Sequence, residues 1–140
     1  MPLAQPNLRY LEASIKSASP EELIVKIYDG LLLFARQALE TMESRPTDIQ
    51  GRHRLLRRAQ RACALLMGSL RIELDSEIPG NLFRIYEFWH HQLVLANVQG
   101  DPQKVREILP LITDMRETWV EVTKRYRAER ATAEQGALAG

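Results

Sequence analysis

Cysteine is almost absent from this chain of 140 residues; Cys63 is the sole example. A disulfide framework within the chain is therefore excluded, and a reducing compartment fits that usage. Long apolar runs are missing as well. Stretches such as Leu31 to Ala35 fall far short of the roughly 20 residues that a membrane-crossing helix needs. Neither sign of charge dominates. The chain has 19 basic and 18 acidic residues and a net charge of +1, which gives no cause for bulk binding to nucleic acid or anionic lipid. The N-terminus, Met1-Pro2-Leu3-Ala4-Gln5-Pro6, lacks the basic-then-apolar order of a secretory signal. A cytoplasmic, non-membrane protein is expected. No Gly-rich phosphate loop, nucleophile elbow or paired catalytic carboxylates occur. The expectation is a protein that is not an enzyme and takes no cofactor.

What is present points to helices. The length suits one domain, and 45% apolar residues can build a core without staples. Ser19-Pro20-Glu21-Glu22 reads as a helix start, with Ser19 as cap, Pro20 in the first turn and Glu22 closing a capping box. Thr47-Asp48-Ile49-Gln50 repeats the box. Another start falls near Ser76 to Pro79. Gly100 stops that helix, and Asp101-Pro102 opens the next. Four helices are predicted, over 20–43, 48–73, 77–98 and 102–128.

Each carries an apolar stripe at helical spacing. The first has Ile24, Ile27, Leu31, Phe34, Ala38 and Met42. The second has Leu55, Ala59, Ala62, Leu66 and Leu70. The third has Leu82, Ile85, Trp89, Leu93 and Ala96. The fourth has Val105, Ile108, Ile112, Met115, Trp119, Val122 and Tyr126, alternating threes and fours as a bundle seam does. Short connections between rods of similar length predict an all-α fold, an antiparallel up-down four-helix bundle. Pro110 is expected to kink the fourth helix. Residues 1–18 form a short amphipathic segment expected to dock on the bundle, residues 19–128 the bundle domain, and residues 129–140 a disordered tail.

Candidate sites are few. Glu87 and His90 make one Glu-x-x-His unit, whereas di-metal bundles use two plus further glutamates. His53 has Gln50 three residues before it, and His90 and His91 point about 100° apart. No metal site is expected. Cys63 falls beside the core stripe as a small buried residue without reactivity. The stretch Arg52 to Arg61 lacks interleaved aromatics, so it reads as a solvated face, with an acidic partner surface as its functional alternative. Surplus hydrophobicity says more. Leu65 and Ile72 lie off the stripe of the second helix, and Phe88 and Leu95, seven apart, lie off that of the third. Leu33 faces away from the first seam, and Val25, Leu32 and Leu39 flank it. The off-stripe residues suggest a groove for a partner or for the chain's own N-terminal segment.

The chain resembles the flagellin-specific export chaperones, the FliS family. The resemblance rests on Tyr10, Ile15 and Ser17-Ala18-Ser19-Pro20-Glu21-Glu22-Leu23-Ile24, followed by Ile27-Tyr28-Asp29-Gly30. Ala59-Gln60 and Ser69-Leu70 continue it, then Asn81-Leu82, Ile85-Tyr86, Leu93, Ala96-Asn97 and Asp101. Arg116-Glu117-x-Trp119 closes it, so residues 10–126 are covered. Departures are His91 and Gln92 in place of paired arginines, Leu65 at a usually acidic position, and Asp75 to Gly80 in place of a Gly-rich turn. The resemblance implies a cytoplasmic chaperone that binds the C-terminal segment of flagellin, blocks premature polymerisation and delivers the subunit to the flagellar export gate. It also implies an N-terminal segment able to cover an apolar site and move aside for cargo. Partner-binding residues are then Tyr10, Ile15, Leu65, Ile72, Phe88 and Leu95. From the residues alone, a structural or oligomerising bundle, or a paralogous chaperone with another cargo, remains the alternative.

Overall fold

The computed structural model describes residues 20–70 and 77–139, all helix and connecting turn, with no strand among them. The helices are α1 (Pro20–Ser44), α2 (Ile49–Gly68), α3 (Glu77–Gln99) and α4 (Pro102–Ala139). Tyr10, Ile15 and Ile72 lie outside the described residues, as do the Ser19 cap and the docking expected of residues 1–18.

The turns follow from local chemistry. Asp48, not Thr47, caps α2, its Oδ1 accepting from the Gly51 N–H at 2.9 Å. Gly51 permits that approach, since a Cβ there would stand 2.3 Å from the Asp48 carboxylate. Asp48→Ala is expected to cost about 1 kcal/mol in urea unfolding; a loss below about 0.3 kcal/mol would contradict the cap. Gly100 ends α3 in the left-handed region at φ 64°. The Asp101 N–H then donates to the Ala96 carbonyl at 3.1 Å, the long bond of a Schellman cap. Asp101 next caps α4 through the Gln103 N–H at 3.0 Å.

Each helix packs on two neighbours, α1 on α2 and α4, and α3 on α2 and α4. This ring is the four-helix bundle expected. Ion pairs fix the direction of α1 against α4. Glu43 meets Arg106 at 3.0 Å and Asp29 meets Arg116 at 2.5 Å, while Glu22 meets Arg127 and Glu21 meets Arg130 at 2.9 Å. One index falls as the other rises, so the two run antiparallel.

The core holds most of the predicted stripes, including Leu31, Ala59, Leu66, Leu93, Ile108 and Ile112, all fully buried, and Leu56, which the stripes did not include. Leu32, assigned to a flanking line, is buried too. Two boundaries differ from expectation. The second helix stops at Gly68 rather than 73, because Ser69 caps it and turns its Oγ to the Leu66 carbonyl at 2.7 Å. Glycine and serine both lower helix propensity at that point. The fourth helix continues to Ala139, where a disordered tail over 129–140 was expected. Residues 129–138 are exposed throughout. Alanine, glutamate and arginine there favour helix without packing. The helix also continues through Pro110; that residue is exposed, so the Arg106 carbonyl that loses its helical partner lies on the solvent side.

Candidate functional site

The middle of the bundle is an aromatic cluster from three helices. The Tyr28 hydroxyl on α1 donates to the Tyr86 hydroxyl on α3 at 2.9 Å, and both rings are buried. Trp89 packs edge-on to Tyr28 at 6.1 Å and tilted to Tyr86 at 5.5 Å between centroids. Trp119 of α4 closes the group, its indole N–H beside both hydroxyls. Burial pushes both phenols above the usual tyrosine range, and Tyr28 further because it donates to Tyr86. Both are neutral hydrogen-bonding groups, with no role in proton transfer. Trp119, predicted as core, is only partly buried. Val122 and Tyr126, further along the same seam, are about half exposed. Next to this cluster Arg116 holds Asp29 through Nε.

The buried thiol is not a reactive one. Cys63 is fully buried, and burial pushes its thiol up to about 12. Among the described residues no group of three or more histidine, cysteine, aspartate or glutamate side chains is gathered to hold a metal. Glu87 is exposed and His90 half-buried. Nor is any described helix long and apolar enough to cross a membrane.

An apolar groove runs between α3 and α4. It has a volume of about 470 Å³ and is lined by Arg84, Ile85, Phe88, Trp89, Leu111, Asp114 and Met115. Phe88 and Leu111 are each 47% exposed. Trp89 forms the floor, and Arg84 and Asp114 place opposite charges on the rim. Leu95 is half-buried on the same edge of α3, one heptad beyond Phe88. Leu65 is elsewhere. It is 58% exposed on α2, one heptad beyond Arg58, whose guanidinium stacks on Phe34 of α1 at 5.6 Å. Leu65 thus follows the α1 edge of the bundle, and Phe88 the α4 edge. The single strip expected from residues on consecutive helices is divided between two seams. Leu111 was not singled out in the sequence. Its signal in the sequence is a position next to Ile112, one step off the seam of the fourth stripe.

A family model described as "Flagellar protein FliS" matches residues 3–126 of the chain. The chain belongs to the FliS family. It is 27% identical to the flagellar secretion chaperone FliS of Bacillus subtilis (strain 168), over 93% of this chain and 95% of that one. It is 28% identical to the flagellar secretion chaperone FliS of Salmonella typhimurium, over 82% of this chain and 84% of that one. With the flagellar secretion chaperone FliSB of Pseudomonas aeruginosa it shares 32% identity, over 78% and 85%. FliS is a chaperone family and not an enzyme family, and its place is flagellar export. The geometry explains where the FliS resemblance sits. Tyr28-Asp29, Tyr86 and Arg116-x-x-Trp119 come from three helices, yet they form one contact set at the bundle centre. Those motifs hold the FliS bundle together.

Proposed function

We propose that this chain is a cytoplasmic export chaperone that binds the disordered C-terminal segment of flagellin, prevents its premature polymerisation and assists its delivery to the export apparatus. The groove between α3 and α4 carries this reading. An apolar channel with an aromatic floor, exposed Phe88 and Leu111, and charges on its rim suits the apolar face of a segment that folds on binding. Flagellin termini awaiting export are such segments, because their helices pair only in the filament. The relatives' names place them in flagellar secretion, and the groove supplies the means. Phe88 and Leu95, with Leu111 and Met115, are the proposed cargo contacts. Tyr10 and Ile15 are proposed as a displaceable cover or as a contact for the export gate.

Calorimetric titration of a flagellin C-terminal peptide into the full chain tests this. Saturable binding with a negative heat-capacity change is expected, as apolar burial requires, and it is lost when the peptide's apolar positions are made polar. Absence of binding at about 1 mM peptide, weaker than about 4 kcal/mol, would sink the proposal. The same titration without residues 1–14 reads the N-terminal segment. A cover gives equal or tighter binding. A loss beyond about tenfold makes the segment part of the binding surface.

A further inference from the structure

Helix α2 holds five arginines and no acidic residue, in a chain with a net charge of only +1. Two of the five have partners inside the fold. Arg52 donates through Nη2 to the Asn97 carbonyl at 3.0 Å, and Arg58 lies over Phe34. The other three, Arg54, Arg57 and Arg61, are exposed. All ion pairs among the described residues are made by cations of α4: Arg106, Arg116, Lys124, Arg127 and Arg130. None reaches α2. The first turn of α2 has no acidic residue, whereas α1 begins with Glu21 and Glu22. Arg54, Arg57 and Arg61 stand beyond the first turn of α2, where the helix dipole has little effect on them, and no ion pair among the described residues accounts for them.

Their arrangement is regular. Arg54, Arg58, Arg61 and Leu65 follow one another at steps of four, three and four along the outer face and its α1 edge, with Arg57 beside them. The stripe is about 16 Å long and ends at an exposed leucine. Guanidinium forks that lack carboxylates of their own are suited to receive them from another molecule. We infer that this face of α2 docks an acidic amphipathic helix of a partner protein, with one carboxylate per turn facing the arginines and an apolar residue against Leu65. A nucleic acid fits less well. The face is a single convex helix without stacking aromatics, and the chain as a whole has almost no net positive field. The inference does not rest on the α3–α4 groove, which lies on another seam.

Fluorescence anisotropy on the full chain decides it. The probe is a labelled helical peptide of about four turns bearing glutamates at alternating three- and four-residue spacing and a terminal leucine. The expected result is salt-sensitive binding, weakened at least about tenfold by combined Arg54→Gln, Arg57→Gln and Arg61→Gln in a chain whose circular dichroism is unchanged. A peptide of the same composition with scrambled spacing is expected to bind at least about tenfold weaker. The reversed chain, Arg54→Glu, Arg57→Glu and Arg61→Glu, is expected to prefer the lysine version of the peptide. Equal binding of the scrambled peptide overturns the inference. So does tighter binding of a DNA duplex or of phosphatidylserine vesicles, lost on the same glutamine substitutions.

Discussion

Trp89→Ala is expected to lower the free energy of unfolding by about 3–5 kcal/mol, the largest effect of any single truncation in the bundle. Trp89 is 1% exposed and touches both buried tyrosines, so its loss opens a cavity where aromatic side chains of α1, α3 and α4 meet. The surrounding rings are too rigid to collapse into that space. Total stability for a domain of this size is about 5–15 kcal/mol, so the variant approaches the limit of folding. Trp89→Phe separates packing from polarity. The indole Nε1 is buried and has no hydrogen-bond partner among the described residues, so removing it leaves no acceptor unsatisfied. Phenylalanine keeps much of the ring contact and is expected to cost less than about 2 kcal/mol. Urea unfolding followed by circular dichroism measures both. An alanine loss below about 1 kcal/mol, or equal losses for the two variants, would show that Trp89 is not the centre of the core.

The expectation that succeeded most fully from sequence was the one set by repetition. Ile27, Leu31, Ala38 and Met42, with Ala59, Leu66, Trp89, Leu93, Val105, Ile108 and Ile112 on the other helices, form a periodic signal that only a buried helical face explains, and they are buried, whereas Val122 and Tyr126 at the far end of the fourth stripe are not. Asp101 and Gly100 were legible because each cap needs its own residue type. Thr47 and Asp48 are both good caps, and the choice between them turned on Gly51, whose missing Cβ leaves room for the Asp48 carboxylate. The end of α2 was misplaced because apolar spacing continues through Gly68 and Ser69, while the chain obeys the local cap. The helical extension to Ala139 has no apolar stripe to announce it. It rests on propensity, which is weak evidence in a sequence and becomes visible only in the structure.

The candidate site was legible in its residues but not in its grouping. Phe88 and Leu65 both stand out as apolar residues off their stripes, and both are exposed. Which seam each one follows depends on the neighbours of its helix. Asn97 binding Arg52 places α2 on one side of α3, so Phe88 is left on the side of α4. Arg58 over Phe34 places α1 on the opposite side of α2, and Leu65 follows that edge. Periodicity gives the angle of a residue on its own helix. It does not say which helix stands at that angle.

This separation gives the second large effect. Phe88→Asp is expected to weaken binding of the flagellin C-terminal peptide at least about 30-fold, roughly 2 kcal/mol. Phe88 is the exposed aromatic of the α3–α4 groove, and a buried aromatic anchor is the kind of contact that dominates such interfaces. The new carboxylate would also share the groove with Asp114 and put a charge where an apolar side chain must seat. Because Phe88 is about half exposed in the free protein, the substitution leaves the core intact, and unfolding is expected to change by less than about 1 kcal/mol. Leu65→Ala removes a side chain of comparable exposure from the other seam, and is expected to change the same affinity by less than about threefold. Calorimetric titration of both variants, with circular dichroism to confirm their folding, gives the comparison. Equal losses would place the cargo across both seams. A loss confined to Leu65→Ala would move the site to the α1–α2 side, and the groove would then have no part in holding flagellin.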